Sequence, residues 1–177
     1  MAVHIALLRG INLGPANRVS MPDLRAHLGE LGYGDVRTVV QSGNIVLEST
    51  ASAEQLAADL RAAIADRFDV DTPVVVRTAA QLQKVVDANP IPEAADDPKR
   101  YQVTFLDRAC SAEEARTLRE ADVSPERLHV AKREIYVWHV DGIIRSPAAA
   151  LLAKTVSRTQ TARNWNTVLK LLDLTAS

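Results

Sequence analysis

The chain has one cysteine, Cys110, among 177 residues. A lone cysteine excludes an internal disulfide framework and any multi-cysteine zinc site. The four histidines, His4, His27, His129 and His139, are scattered and give neither of the close His–His spacings that suit a metal ion. No metal and no cofactor is expected. An excess of charge of one sign is also missing: 21 Lys and Arg face 22 Asp and Glu, for a net charge of −1. No global field draws the chain toward nucleic acid or a membrane surface, so any anion binding must come from a local cluster. The first apolar run, Val3-His4-Ile5-Ala6-Leu7-Leu8, is far too short to span a bilayer. It follows Met1-Ala2 without a basic n-region or a small-residue cleavage site, so the expected location is cytoplasmic.

What is present is ordinary for a folded domain: 47% hydrophobic and 24% charged residues. The length suits one large domain or two small ones. Val3 to Leu8 is near-continuously apolar, as a strand buried on both faces would be. Ser20 caps the first predicted helix, with Pro22 in its first turn and Leu24, Leu28 and Leu31 at helical spacing. Val36–Val40 and Asn44–Leu47 form a hairpin around Gln41-Ser42-Gly43, with Gly43 supplying a positive φ. Ser52-Ala-Glu-Gln55 is a capping box opening a helix whose Leu56, Leu60, Ile64 and Phe68 make one stripe. Val74-Val75-Val76 is a short strand, which completes the order β-α-β-β-α-β.

Thr78-Ala-Ala-Gln81 opens a short helix, and Asn89-Pro90-Ile91-Pro92-Glu93 through Pro98 reads as a linker in which three prolines exclude a regular element. The second half repeats the order. Tyr101, Val103 and Phe105 alternate along a strand, Ser111-Ala-Glu-Glu114 caps a helix, and Leu128–Ala131 and Ile135–Val140 are two more strands. Ser146-Pro147 opens a further helix. In place of a clear fourth strand the pattern gives a terminal helix with Trp165, Val168, Leu169 and Leu172 on one face. The expected fold is α+β: tandem ferredoxin-like (βαββαβ) subdomains with antiparallel sheets and an extra C-terminal helix. The expected boundaries are 1-78 for the first subdomain, 79-99 for the short helix and Pro-rich linker, and 100-177 for the second.

Arg9-Gly10-Ile11-Asn12-Leu13-Gly14, Gln41-Ser42-Gly43-Asn44-Ile45-Val46 and Thr161-Ala162-Arg163-Asn164-Trp165-Asn166-Thr167-Val168 together resemble the domain of unknown function 1697 (DUF1697) family. Asn89–Glu93 and Asp141–Ser146 are similar to two further family segments. The chain departs from the family pattern at Pro15-Ala16, after Gly14, and at Pro147-Ala148, after Ser146. The resemblance implies a tandem ferredoxin-like architecture and carries no established activity.

The segment from Arg9 to Ser20 is the most suggestive for function. It matches neither the P-loop nor the Gly-x-Gly-x-x-Gly pattern. A glycine-containing loop between a strand and a helix nevertheless presents backbone N–H groups to an anion, and Arg9 and Arg18 offer bidentate contacts to phosphate or carboxylate. Its plain reading is a β-to-α connection with turn glycines and self-bonded Asn side chains. Ser42 lacks the strand-to-helix elbow of a hydrolase nucleophile, whereas Gln41 and Asn44 offer amide hydrogen bonds. Arg145-Ser146 and Arg163-Asn164 repeat an Arg-plus-cap arrangement at predicted helix starts, and Trp165 reads as a core anchor. Cys110 beside Ser111 lies near a helix start, a setting that lowers a thiol pKa, without an identifiable partner.

The expectation is a small anionic or polar ligand bound by Arg9, Gly10, Asn12, Gly14, Asn17, Arg18, Gln41, Ser42, Asn44, Arg145, Ser146, Arg163 and Asn164. The alternative is a nucleic-acid-binding module using Tyr101, Phe105, Tyr136 and Trp138 on the second sheet, although the aromatic RNA-binding signature is absent. A third reading, an enzyme on a phosphorylated or acyl substrate, lacks an evident general base or nucleophile.

Overall fold

The computed structural model describes residues 1–176. The chain divides into two compact units, Met1–Lys84 joined by the residues from Lys170 on, and Val85–Leu169. Each contains a four-stranded antiparallel sheet, and the protein is a mixed α+β structure.

In the first unit β1 (Ala2–Leu8) is followed by α1 (Met21–Glu30), β2 (Gly34–Val39), β3 (Asn44–Ser49), α2 (Ala53–Phe68), β4 (Val74–Thr78) and the start of α3 (Ala79–Ala88). The strand order is β2-β3-β1-β4. The central strand explains the apolar opening run: Ile5, Ala6, Leu7 and Leu8 are all fully buried, so both faces of β1 are closed. Ala6 and Leu8, with Ile45, Leu47, Val74 and Val76, pack under Leu24 and Leu28 of α1 and Leu56, Leu60 and Ile64 of α2. Burying a Leu or Ile of this kind is worth about 1.5–3 kcal/mol. His4 is buried in β1, with its Nδ1 3.0 Å from the Ala2 carbonyl.

The second unit holds β5 (Tyr101–Leu106), α4 (Ala112–Glu120), β6 (Arg127–Val130), β7 (Glu134–Trp138), α5 (Pro147–Thr155), β8 (Gln160–Asn164) and the start of α6 (Trp165–Thr175), with strand order β6-β7-β5-β8. Its helix-facing core is Leu106, Leu118, Ile135, Val137, Ala148, Leu152 and Val156. The two sheets therefore have the same order, and their strands correspond one to one.

Three sequence expectations change. A fourth strand exists: β8 pairs antiparallel with β5, with Val103 opposite Arg163. It escaped the pattern because Gln-Thr-Ala-Arg-Asn is polar and its inward positions are Thr161 and Arg163 rather than Val or Ile. The terminal helix does not stand in place of that strand but follows it as an extra helix, as α3 follows β4. Its buried residues are Trp165, Val168 and Leu171, while Leu169 is exposed and Leu172 half-buried. Finally, the Pro-rich segment contains a regular element, a 3₁₀ turn over Pro92–Asp96, because Pro92 sits in its first turn where no N–H is required.

Candidate functional site

The corresponding connections of the two units differ in length. Between β5 and α4 the chain needs five residues, Asp107–Ser111; between β1 and α1 it uses twelve, Arg9–Ser20. Two buried side chains anchor the longer loop, Ile11 and Val19. Between them the backbone takes positive φ at Asn12 and Asn17 (56° and 53°), a conformation that Asn tolerates better than most residues.

Asn12 organises this turn. Its N–H donates to the Asn17 carbonyl at 3.0 Å. Its side-chain Nδ2 donates to the Val19 carbonyl at 2.9 Å, while Oδ1 accepts from the Val19 N–H at 2.9 Å. The same Nδ2 donates to the Gln41 carbonyl at 2.8 Å, which ties the loop to the tip of the β2–β3 hairpin. A second tie lies beneath it, where the Leu8 N–H donates to the Gly43 carbonyl at 2.9 Å. Gly43 has φ +79°, and a Cβ there would lie 2.7 Å from Leu8 Cβ and 2.9 Å from Ile11 Cδ1. Buried Asn44 closes the tip from inside by donating to the Val39 carbonyl and to Ser42 Oγ.

This seam borders a cleft of about 500 Å³. Asn12, Arg18 and Gln41 form its polar wall, while Val19, Met21 and Pro22 with Ser20 bring the start of α1. Ser20 Oγ caps α1 by accepting from the Asp23 N–H at 3.4 Å. Pro22 has no N–H, so the guanidinium of Arg18 is the main positive group of the cleft. Arg9 and Arg18 are exposed, and among the described residues neither side chain has a hydrogen bond or ion pair. Arg9 is held by its backbone, which donates to the Pro73 carbonyl and accepts from Thr72 Oγ1 at 2.7 Å.

The structure thus brings Asn12, Arg18 and Gln41 together at one cleft, and places Ser42 and Asn44 in the supporting hairpin. Gly10, at φ +67°, and Asn17 are exposed turn positions of the loop, with Gly14 half-buried between them. The second-unit residues stand differently. Arg145 is exposed at φ +68°, and Ser146 is the buried N-cap of α5. Arg163 is buried in β8, where its Nη1 donates to Thr161 Oγ1 at 2.7 Å and to the Ala162 carbonyl, and desolvation lowers its pKa to about 10. Asn164 caps α6 by accepting from the Thr167 N–H.

Two positions passed over in the sequence meet at Ser146. His139 Nδ1 lies 2.8 Å from Ser146 Oγ and 3.2 Å from Glu126 Oε1; Ser146 Oγ donates to Glu126 Oε2 at 3.0 Å. All three side chains are buried. The residue types are those of a hydrolase triad, but the geometry is not. A triad histidine uses opposite ring nitrogens for serine and acid, whereas here Nδ1 serves both. Ser146 Oγ also accepts the Ala149 N–H, and Glu126 Oε2 accepts the Ala148 N–H at 2.8 Å. The cluster is a helix cap that fixes the start of α5. No sequence spacing announced it, because its members lie in three separate segments.

The remaining candidates are interior. Tyr101, Phe105 and Tyr136 are buried, and Trp138 is half-buried with its Nε1 donating to Asp97 Oδ2. None of the three buried rings is available to stack on a base. The Cys110 thiol has its pKa raised, by desolvation first and then by the Glu114 carboxylate, which corrects the expectation of a lowered value. Among the described residues no group of three or more His, Cys, Asp or Glu side chains is gathered to hold a metal ion. No helix among them is long and apolar enough to cross a membrane.

The architecture defines an α+β protein with two matching antiparallel sheets and a polar cleft at the first β-to-α connection. The chain belongs to the DUF1697 family of proteins of unknown function, which matches residues 1–136. The matched region includes the cleft and ends before Asp141–Ser146 and β8. The conserved bacterial protein SP0830 from Streptococcus pneumoniae has a similar structure, with a TM-score of 0.79 over 98% of each chain at 24% sequence identity. At that identity the likeness is one of fold. No curated protein sequence matches the chain.

Proposed function

We propose that this protein binds a small oxyanion-bearing ligand in the cleft of the Arg9–Ser20 loop, and that each unit is a ferredoxin-like plait serving as scaffold. The observation that carries the reading is Arg18: a guanidinium with no partner among the described residues, lining a cleft whose walls are already fixed by hydrogen bonds. A guanidinium presents a planar fork of donors that fits carboxylate or phosphate. A site whose loop is already ordered loses little conformational entropy when it is filled. The loop is also seven residues longer than the connection between β5 and α4, and extended connections in compact units are commonly functional.

In this reading Arg18 contacts the ligand, Gln41 supplies an amide, Arg9 adds positive charge near the loop entrance, and Asn12 holds the geometry. Gly10, Gly14 and Asn17 give the loop its path, and Ser42 and Asn44 support the hairpin. Arg145, Ser146, Arg163 and Asn164 serve the fold of the second unit. The test is a titration of the full chain with inorganic phosphate and with acetate, followed by amide chemical shifts. Saturable shifts confined to residues 9–22 and 40–43, and abolished by Arg18→Ala, are expected. Shifts that Arg18→Ala leaves intact, or none at all, overturn the reading.

A further inference from the structure

We infer that the cleft takes a carboxylate with a hydroxyl or amide group beside it, Arg18 holding the carboxylate and the Gln41 side chain reading the neighbouring group. This rests on the anion-binding reading above and adds the class of ligand to it.

The backbone of the cleft argues for a carboxylate over a phosphate. Phosphate loops wrap the anion in several converging backbone N–H groups at a helix start. Here the loop and the helix start turn several of theirs inward. The Asn12 N–H donates to the Asn17 carbonyl, and the Val19 N–H to Asn12 Oδ1. At the head of α1 the Asp23 N–H goes to Ser20 Oγ and the Leu24 N–H to the Ser20 carbonyl, while Pro22 has none. Recognition therefore falls to side chains, and Arg18 is the only cation among those lining the cleft. One guanidinium matches the two coplanar oxygens and single charge of a carboxylate. A phosphate monoester carries about −1.5 to −2 at neutral pH, so part of its charge goes unmatched. Asp23, in the first turn of α1, opposes that excess.

The accessible wall sets the neighbouring group. Val19 and Met21 line the cleft but are buried, so the surface open to a ligand is Arg18, Ser20, Pro22 and Gln41, with Asn12 half-buried. That surface is mostly polar. Asn12 spends its amide on the seam, bonded at both ends. Gln41 divides its roles: its backbone carbonyl accepts from Asn12 at 2.8 Å, and its side-chain amide has no partner among the described residues. An unpaired amide offers donors and an acceptor together, which fits a hydroxyl or another amide and gains nothing from a hydrocarbon. At about 500 Å³ the cleft is of small-molecule size and leaves room for such a group beside the carboxylate.

The test uses two isosteric pairs, glycolate against propanoate and N-acetylglycine against levulinate, with inorganic phosphate alongside. Each is titrated into the full chain and followed by amide chemical shifts. The members of a pair differ only in a hydroxyl or amide N–H exchanged for a methyl or methylene group. The polar member of at least one pair is expected to bind about three- to tenfold more tightly than its partner, the gain of one well-made hydrogen bond. It is also expected to bind more tightly than inorganic phosphate. Gln41→Leu keeps the backbone carbonyl that the seam uses, and should bind both members of the pair alike. Gln41→Glu sets a carboxylate beside Arg18 and should bind none of the probes. If neither pair discriminates, if Gln41→Leu keeps the gain, or if Gln41→Glu binds as the parent does, the inference fails and the anion site stands. If inorganic phosphate binds more tightly than every carboxylate, the inference fails at the head group. If no probe binds at all, the anion site itself is overturned.

Discussion

Asn12 and Val19 are joined by a reciprocal pair of hydrogen bonds, the Asn12 amide giving Nδ2–H to the Val19 carbonyl and taking the Val19 N–H on Oδ1, both at 2.9 Å. A side chain here does what a neighbouring strand does in a sheet. It satisfies the donor and acceptor of a buried residue whose backbone would otherwise face the cleft unpaired. The loop is closed at its base by this pair and at its top by the bond from Asn12 to Gln41. Closure of the loop therefore rests on one residue.

Asn12→Ala is expected to destabilise the protein by about 1–3 kcal/mol, because it removes three side-chain hydrogen bonds and leaves the Val19 groups without their partners. Part of that loss comes from forcing Ala into a positive φ. Asn12→Gly separates the two, since it accepts the backbone angle but restores no hydrogen bond. Urea unfolding of both variants is the measurement. If Asn12→Gly is as stable as the parent, the hydrogen bonds contribute nothing to the loop.

Gly43 and Gly10 form a matched pair for a second test. Both have positive φ, but a Cβ at Gly10 meets nothing within 4 Å, whereas at Gly43 it would strike Leu8 and Ile11. Gly10→Ala is expected to cost about 1 kcal/mol, the conformational penalty alone. Gly43→Ala should cost about 1–3 kcal/mol more, because overpacking must displace either the hairpin tip or the loop. Equal midpoints in urea for the two variants would mean that the seam is soft.

Much of the fold was legible because it rests on local chemistry. Ser20, Ser52, Ser111 and Ser146 were each read as a helix cap, and each accepts the N–H three residues on. The apolar run of β1 and the stripe Leu56, Leu60, Ile64 were equally plain. What stayed hidden was of two kinds. Strand β8 carries Thr161 and Arg163 at its inward positions, so hydrophobic alternation passes over it; Arg77, also buried, holds the corresponding place in β4. The second kind is contact between distant segments, as when Asn12 reaches Gln41 or Glu126 reaches His139 and Ser146. Arg18 and Gln41 were chosen for their chemistry, and only the folded loop puts them on one cleft.

Acid should destabilise the protein in two separable windows. The Glu114 carboxylate accepts the Ser111 N–H at 2.8 Å and both the N–H and Oγ–H of Ser157, beside Arg158. These bonds, the Ser111 N–H first among them, hold its pKa down to about 2 from an ordinary 4.5. A carboxyl whose folded pKa is depressed contributes stability that is complete above its unfolded pKa and is lost as pH falls through the folded value. The loss should run from about pH 4.5 down to about 2, and Glu114→Gln should flatten it. Buried His139 has its pKa lowered by desolvation, against the opposing pull of Glu126. The unfolded chain then takes up the proton first, so stability also falls as pH drops below 6.5. Urea titrations at several pH values on the parent, Glu114→Gln and His139→Gln check both windows. Unchanged slopes in either variant would remove that residue from the acid response.

Val40 should be a place where a single substitution stabilises the protein. Its φ of +51° puts a β-branched side chain in the left-handed region, at a cost of roughly 1–2 kcal/mol relative to an ordinary backbone angle. Val40→Asn relieves part of that, because Asn populates the region readily and the position is more than half exposed. The variant is expected to be more stable than the parent by about 0.5–1 kcal/mol, read as a higher urea midpoint with an unchanged m-value. Glycine is the poorer choice, because its unfolded chain gains entropy that offsets the relief. Val40 does not line the Arg18 cleft, so inorganic phosphate binding by Val40→Asn should be unaltered. A variant that is no more stable than the parent would show that the turn holds Val40 without strain.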